Sequence, residues 1–517
     1  MDLHGFAQAF VRSGGQWAFG VPGGGASLQL VDELMRGGTK FITTGHETTA
    51  ALMAGAVSRL SGKPSLAVTI KGPGFMNLAP GLLSNAYEGY AHLSASEAYP
   101  RGKPGPRKHK WLDHQRVGGE FLKACRSFED SPAFLDQCWS QACAEFPGPV
   151  HVELADGPPT LPDALTEIAD NATHISAKIR AAERPVVIVG SLALRAGWRG
   201  ALQQLRVPVF TTVAAKGALP ETSPFAAGIY TGDGKPITPE KMLLPHADLV
   251  VAIGVRPGEV LSPDAPHANC VAIDSPTVRM GWVFPPNTFG APRTYLSERT
   301  IGELLALLAN KSWGQAEIAA AFKGMDDALN CWDWSPARVF RLAMEALPDA
   351  IHVLDTGNFT VIGEHLLRAR SERDILGTPN GRFMGLGIGY ALGACLNPEN
   401  RPVVLWIGDG GSRAFFSELS LAVEHKMKLL VLVMRDGYFG SVRGRAQAKG
   451  WTTEPLTMRG RDLGAIARAM GMEIWPTKSE NLLTGDLNEW RRKPHPMLIQ
   501  CDFDNADDYV RIAELLR

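Results

Sequence analysis

The chain lacks the features that would place it outside the cell, in a membrane or on a nucleic acid. Its seven cysteines (Cys125, Cys138, Cys143, Cys270, Cys331, Cys395 and Cys501) are scattered and form no CxxC pair. An odd, dispersed set argues for a reducing compartment and against both a disulfide framework and a zinc site. No apolar run approaches the ~20 residues of a membrane span. The opening MDLHGFAQAFVRSGG has no basic segment followed by an apolar core, so no signal peptide is read there. A cytoplasmic location without a membrane partner is the expectation. Formal net charge is only −1, which leaves no overall electrostatic case for nucleic acid. No repeat of solenoid period and no low-complexity tract interrupts the chain. What remains is globular composition, 45% hydrophobic and 20% charged over 517 residues, enough for three domains of ~150–200 residues.

The most informative stretch runs from Leu405 to Arg443. The apolar run Val403–Ile407 reads as a buried strand. Gly408-Asp409-Gly410-Gly411 breaks it, and three residues without side chains let backbone approach a ligand closely. Ser417 to His425 has helical spacing, and Leu429 to Val433 is a second strand, ending at Arg435-Asp436-Gly437. A strand–helix–strand unit puts both strand ends on one edge of a parallel sheet, where α/β proteins bind ligands. Asp409 and Asp436 therefore meet there, and hard oxygen ligands over glycine backbone suit Mg²⁺ holding a diphosphate.

Upstream, residues 1–160 alternate strand and helix. Trp17 to Val21 ends at Pro22-Gly23-Gly24-Gly25, Phe41 to Thr44 runs into His46-Glu47 and a small-residue helix, and Ser65 to Ile70 ends at Lys71-Gly72-Pro73-Gly74. Repeated units of this kind imply a doubly wound parallel sheet. A second such unit occupies 181–330, with 275–335 read as a linking region around a helix at Ile301 to Leu308. A third covers 335–517, in which Ala350 to Leu354 ends at Asp355-Thr356-Gly357-Asn358 and the glycine-rich GRFMGLGIGYALGA precedes the Asp409 stretch. The fold class is thus α/β, three doubly wound domains in series.

The order FGVPGG, HETTAA, KGPGFMNL, then GDG with Asp436 downstream, resembles the thiamine diphosphate enzymes of the acetolactate synthase and pyruvate decarboxylase group. The resemblance covers nearly the whole chain and implies pyrimidine-binding, middle and diphosphate-binding domains in that order. It implies that Glu47 is the catalytic acid. A carboxyl on the aminopyrimidine N1′ favours the imino tautomer, whose nitrogen takes the thiazolium C2 proton. Metal ligands would be Asp409, Asp436 (where relatives have Asn) and the backbone carbonyl of Tyr438. Cofactor contacts would come from Pro22, Gly23, Gly74 and Asn77, and from Thr356, Gly357, Asn358, Met384, Gly385, Gly408, Gly410, Gly411 and Phe439. The middle domain carries the Lys216-Gly217 landmark, but Arg256-Pro257-Gly258-Glu259 replaces the segment that holds FAD in acetolactate synthases. That change argues against FAD and for an architectural spacer.

The resemblance implies a 2-oxo acid substrate, a carbonyl acceptor, and a homodimer or homotetramer with active sites across subunits. The chain lacks the adjacent His-His pair of simple pyruvate decarboxylases, which points to an acetolactate synthase-like carboligase. Its basic segment Arg101–Arg116 and Arg445 open an alternative, a decarboxylase of an anionic acid such as phosphono- or sulfopyruvate. A catalytically silent relative is the remaining alternative. Candidate substrate residues are Gly24, His109, His114, Gln115 and Arg445.

Overall fold

A computed structural model describes the chain except residues 100–109, 156–171, 257–258, 260, 263–265, 276–286, 289–290, 331, 459–461, 504 and 517. His109 and most of the basic segment therefore lie outside the described residues, as does the connector between the first two units.

The first sheet holds β1 (Trp17–Gly20), β2 (Lys40–Thr43), β3 (Leu66–Thr69), β4 (His92–Glu97), β5 (Ala124–Ser127) and β6 (Pro149–Leu154), in the order 2-1-3-4-6-5. The second holds β7 (Pro185–Val189), β8 (Val209–Thr211), β9 (Ala226–Ile229), β10 (Leu249–Ile253), β11 (Cys270–Asp274), β12 (Asn287–Thr288) and β13 (Ala291–Tyr295), in the order 12-13-11-10-7-8-9. The third holds β14 (Ile351–Leu354), β15 (Ile375–Gly377), β16 (Val403–Gly408), β17 (Leu429–Arg435), β18 (Glu473–Thr477) and β19 (Met497–Asp502), in the order 15-14-16-17-19-18. The pairings are parallel except β12 with β13. The α/β, doubly wound reading holds for all three units.

In the second and third sheets the central strands are continuous apolar runs because helices cover both faces, whereas β4 of the first is equally buried but carries His92, Ser94 and Ser96. Val403, Val404, Leu405, Trp406 and Ile407 are all fully buried. One correction concerns 275–335. It is no simple linker, since β13 joins the middle sheet and the helices Glu298–Ala309 and Gln315–Leu329 pack Leu304, Leu308 and Ile318 into the cores on its two sides. The segment reads as a linker because its strand is short and polar.

What positions the site is a helix pair shared by the first and third units. Helix Glu47–Ser61 is capped by the His46 ring, which accepts from the Thr48 amide, and is stopped by Gly62 in the left-handed region at φ +68°. Almost every residue of it is buried, which is why small residues fill it. It packs on helix Gly387–Ala394, where a Cβ on Gly389 would stand 2.7 Å from Leu52 Cβ and one on Gly393 would stand 2.6 Å from the Met53 carbonyl oxygen. The glycine-rich run is therefore a close-packing device. Both helices belong to one core with Ile388, Leu405 and Val431.

Candidate active site

Two groups of acids stand at the carboxyl edges of the first and third sheets. In the first, Glu47 is the opening residue of its helix and is 8% exposed. Asn77 Nδ2 donates to its Oε2 at 3.0 Å, and the Thr69 hydroxyl donates to Oε1 at 3.3 Å. Asn77, expected at the cofactor, is thus engaged with Glu47. The Thr48 hydroxyl, donating to the Asn77 carbonyl at 2.6 Å, fixes it there. The helix that carries Asn77 begins at Pro73, so Gly74 lies inside its first turn. A Cβ on Gly74 would meet the Thr69 hydroxyl at 2.2 Å, so Gly74 serves close packing beside Glu47.

The turn after β1 is organised by a residue that sequence reading passed over. Glu97, at the end of β4, accepts from the amide and hydroxyl of Ser27 and from Lys71 Nζ at 2.8 Å. Burial raises its carboxyl, but Lys71 and Ser27 outweigh this and hold it below the usual range. Ser27 in turn receives the Gly23 amide at 3.1 Å, which sets the Pro22–Gly25 turn. Gly24 is exposed with open space over its Cα. A charged residue closing a buried strand was the available signal for Glu97.

The substrate-side expectation for His114 does not fit its position. The imidazole is fully buried, stacked on Phe75 at 4.3 Å, and accepts the Gly72 amide at 3.3 Å. Burial lowers its pKa to about 4. It is a neutral prop beneath the Lys71-Gly72 loop. Its neighbour Gln115 is exposed.

In the third unit, Asp409 leaves β16 and Asp436 follows β17. The Gly437 amide donates to Asp409 Oδ2 at 2.9 Å, and the Tyr438 amide to Asp436 Oδ1 at 2.9 Å. A Cβ on Gly440 would lie 2.5 Å from Asp436 and 2.7 Å from Asn358 Nδ2, so these three converge and only glycine fits. Gly410 lies under the Phe439 ring in the same way, at 2.9 Å, and Gly408 and Gly357 border Phe359. Thr356 and Thr378 share a hydroxyl hydrogen bond of 2.9 Å at the end of β14. A polar cleft of about 460 Å³ opens beside Asp436, Tyr438 and Arg443.

Burial raises the Asp409 carboxyl to about 6; burial and then the Asp409 charge raise Asp436 to about 7. Among the described residues, Arg435 and Arg443 beside the pair are engaged elsewhere, with Asp502 at 3.2 Å and Asp507 at 2.7 Å. Two partly desolvated carboxylates with no bonded cation among the described residues, over glycine backbone, fit a divalent metal carrying a diphosphate. No cluster of three or more His, Cys, Asp or Glu with metal-binding geometry exists among the described residues. Two carboxylates and one backbone carbonyl do not form such a cluster.

This predicts a pH-dependent response to Mg²⁺. A carboxyl raised on folding binds more protons folded than unfolded, so its contribution favours the fold at low pH and is lost as pH climbs from about 4 through 6 and 7. A bound Mg²⁺ would offset that loss. Scanning fluorimetry will show a larger rise in melting temperature with Mg²⁺ at pH 8 than at pH 5. Equal shifts at both values would dissociate the pair from metal.

A second organising acid, Asp355, is fully buried and accepts the Gly385 amide at 2.8 Å and the Gly387 amide at 2.9 Å. Burial lifts it to about 7 against those amides. It forces the Met384–Gly385 turn, with Gly385 at φ +85° and its Cα against the Gly411 carbonyl. Met384 is left 46% exposed at the tip. Arg445 is exposed on the helix Gly440–Ala448. Among the described residues no hydrogen bond joins Glu47 to the Asp409–Asp436 pair. Next to Glu47 the two units also touch through Glu418, which accepts the Gly45 amide at 3.1 Å, and through His46 against Phe415.

Family models agree with this layout. The thiamine pyrophosphate enzyme N-terminal binding domain matches residues 4–115, the central domain 172–292 and the C-terminal binding domain 355–501. The chain belongs to the thiamine pyrophosphate enzymes. Within this family it is similar to a probable 2-ketoarginine decarboxylase of Pseudomonas aeruginosa, 27% identical over 93% of this chain and 90% of the relative. It is also similar to an acetolactate synthase of Bacillus subtilis, 25% identical over 96% of this chain and 92% of the relative. The large subunit of acetolactate synthase isozyme 3 of Escherichia coli is 25% identical over 86% of this chain and 84% of the relative. Members of the thiamine pyrophosphate family named for acetolactate synthesis and for decarboxylation thus both stand near this chain.

The segment bearing on FAD is used internally. Arg256 is buried between Glu145 of the first unit and Asp274 of β11, and Arg293 also pairs with Asp274. Among the described residues no helix is long and apolar enough to cross a membrane.

Proposed function

We propose that this enzyme decarboxylates a 2-oxo acid with thiamine diphosphate and Mg²⁺ and transfers the acyl unit to an acceptor carbonyl, as an acetolactate synthase-like carboligase. The observation that carries this reading is the pair of prepared acid sites: Glu47 oriented by Asn77 and Thr69, and Asp409 with Asp436 over glycine backbone.

Asp409, Asp436 and the Tyr438 carbonyl hold the metal, and Thr356, Gly357, Asn358, Gly408, Gly410, Gly411 and Phe439 surround the diphosphate. Met384 and Gly385 support the cofactor from the third unit, while Pro22, Gly23 and Gly74 border it from the first. When bound, thiamine diphosphate supplies the electron sink that lets CO₂ leave. Glu47 holds a proton at the aminopyrimidine and returns it, and Asn77 and Thr69 keep its carboxyl aimed. Glu97 and Asp355 fix the two turns that flank the reacting region. Glu47 of one copy faces the Asp409–Asp436 pair of another, in a homodimer or homotetramer. Met76 and Met384, each 46% exposed, supply apolar surface for that contact. Gly24, Gln115 and Arg445 are the exposed positions from which substrate or acceptor is selected.

A second reading is simple decarboxylation: exposed Arg445 favours an anionic 2-oxo acid such as phosphono- or sulfopyruvate, whereas the similarity to a probable 2-ketoarginine decarboxylase favours one with a cationic side chain. The test is CO₂ release and product identity with pyruvate, 2-ketoarginine, phosphonopyruvate and sulfopyruvate. Acyloin product with less than stoichiometric aldehyde is expected from the productive acid. Aldehyde equal to CO₂, with added acceptors inert, would replace carboligation by decarboxylation. Inertness toward every acid would remove both.

A further inference from the structure

A partly enclosed cavity of about 230 Å³ lies where the three units meet, lined among others by Arg59, Glu88, Tyr90, Cys143, Arg195 and Lys216, and by none of Glu47, Asp409 and Asp436. Lys216 is neutralised there by Glu221 at 2.6 Å, both nearly inaccessible. Arg59 is not. Among the described residues its side chain donates one hydrogen bond, Nη2 to the Glu372 carbonyl at 2.9 Å, although a guanidinium carries five donors. Arg195 donates to the Ser191 carbonyl and pairs with Glu145 at 3.0 Å.

Burial pulls the Arg59 guanidinium below its ordinary value. Tyr90 and Glu372 oppose this, and the charge of Arg195 adds to it. Two cations therefore line one space, and among the described residues no carboxylate is hydrogen-bonded to Arg59. The remaining wall is mixed: Glu364 also lines it, but its carboxylate is paired with Arg382 at 2.7 Å. The Tyr90 hydroxyl accepts from the Gly377 amide at 3.4 Å, leaving its own proton to give. Burial raises Glu88 to about 8 against the Gly381 and Asn380 amides, so at neutral pH it carries a proton rather than repelling an anion.

We propose that this cavity is a second ligand site, taking a compact anion with a carboxylate or phosphate head that binds the Arg59 guanidinium, with Arg195 and the Tyr90 hydroxyl beside it. Its volume falls below the ~300–1,000 Å³ usual for larger ligands. A dinucleotide is therefore too big, and the occupant is a small acid or phosphate. The site goes beyond the proposed reaction and does not rest on it.

The test is calorimetry on the full chain saturated with thiamine diphosphate and Mg²⁺, in chloride-free buffer, with inorganic phosphate and malonate as probes. Saturation removes the cofactor's own diphosphate site from competition. The same titration on the chain alone reads the cavity even where the cofactor assignment fails, so the two failures are distinguishable. The expected result is one site per chain for at least one probe, which also identifies the head group. Arg59→Gln and Arg195→Gln each weaken it at least about tenfold, and Arg59→Lys keeps part of the affinity. In the unaltered protein, bound anion also slows alkylation of Cys143, read by mass spectrometry, so this arm needs no variant to fold. Neither heat nor Cys143 protection from either probe would overturn the proposal. So would binding that persists at full strength in both Gln variants.

Discussion

Glu47→Gln is expected to lower turnover by about 10²–10⁴-fold, the range supplied by a positioned acid–base group, while leaving the fold and cofactor affinity nearly intact. The geometry separates those effects. Glu47 Oε2 receives the Asn77 amide and Oε1 the Thr69 hydroxyl. In the Gln variant the amide oxygen can keep the Asn77 bond, and its NH₂ can donate to Thr69, whose hydroxyl reverses. No buried group loses its partner, so the melting temperature should hold. What is lost is the exchangeable proton. Thiamine diphosphate affinity by calorimetry and hydrogen–deuterium exchange at the thiazolium carbon would be measured together, and exchange should fall with turnover. A variant that turns over normally would remove Glu47 from the chemistry. One that loses cofactor binding and activity in parallel would make it a binding residue instead.

The parts of the fold legible in the sequence were those where one short segment contains its own reason. Val403–Ile407 is apolar on both faces because helices cover it, and GDG can only end such a strand. The Glu47 helix shows in its run of small residues, although why they are small appears only when Gly389 and Gly393 are found against Leu52 and Met53. The acids that organise the site were hidden for a related reason. Glu97 and Asp355 act on backbone amides distant in sequence, Ser27 and Gly385, and no local pattern distinguishes a carboxylate serving a remote turn from one facing water. His114 was misplaced because a histidine in a basic, proline-rich stretch reads as surface. Its burial depends on Phe75 and on the Gly72 amide, contributed by a different strand–helix unit.

Asp409→Ala should weaken Mg²⁺-dependent thiamine diphosphate binding by more than about 100-fold, since loss of even an outer-shell partner costs 10–100-fold. Asp436→Asn should stay within about tenfold of the unaltered chain. The two acids differ in what they hold. Asp409 links the ends of β16 and β17 through the Gly437 amide and is the more buried of the pair. Asp436 uses one oxygen for the Tyr438 amide, a bond that an Asn oxygen also accepts, and its charge raises the cost of the pair. Removing that charge relieves the repulsion that helps lift Asp436 to about 7. The Asn variant should therefore bind metal with a weaker pH dependence between pH 5 and 8. Stability provides the control. Asp409→Ala loses the Gly437 amide bond but also the cost of burying an ionised carboxyl, so the melting temperature of the cofactor-free protein at pH 8 should change little. A loss of binding can then be read as a lost ligand rather than a lost fold. Unchanged cofactor affinity in Asp409→Ala would move the metal elsewhere, and no binding by the unaltered chain would mean that the paired charges at Asp409 and Asp436 exclude the diphosphate.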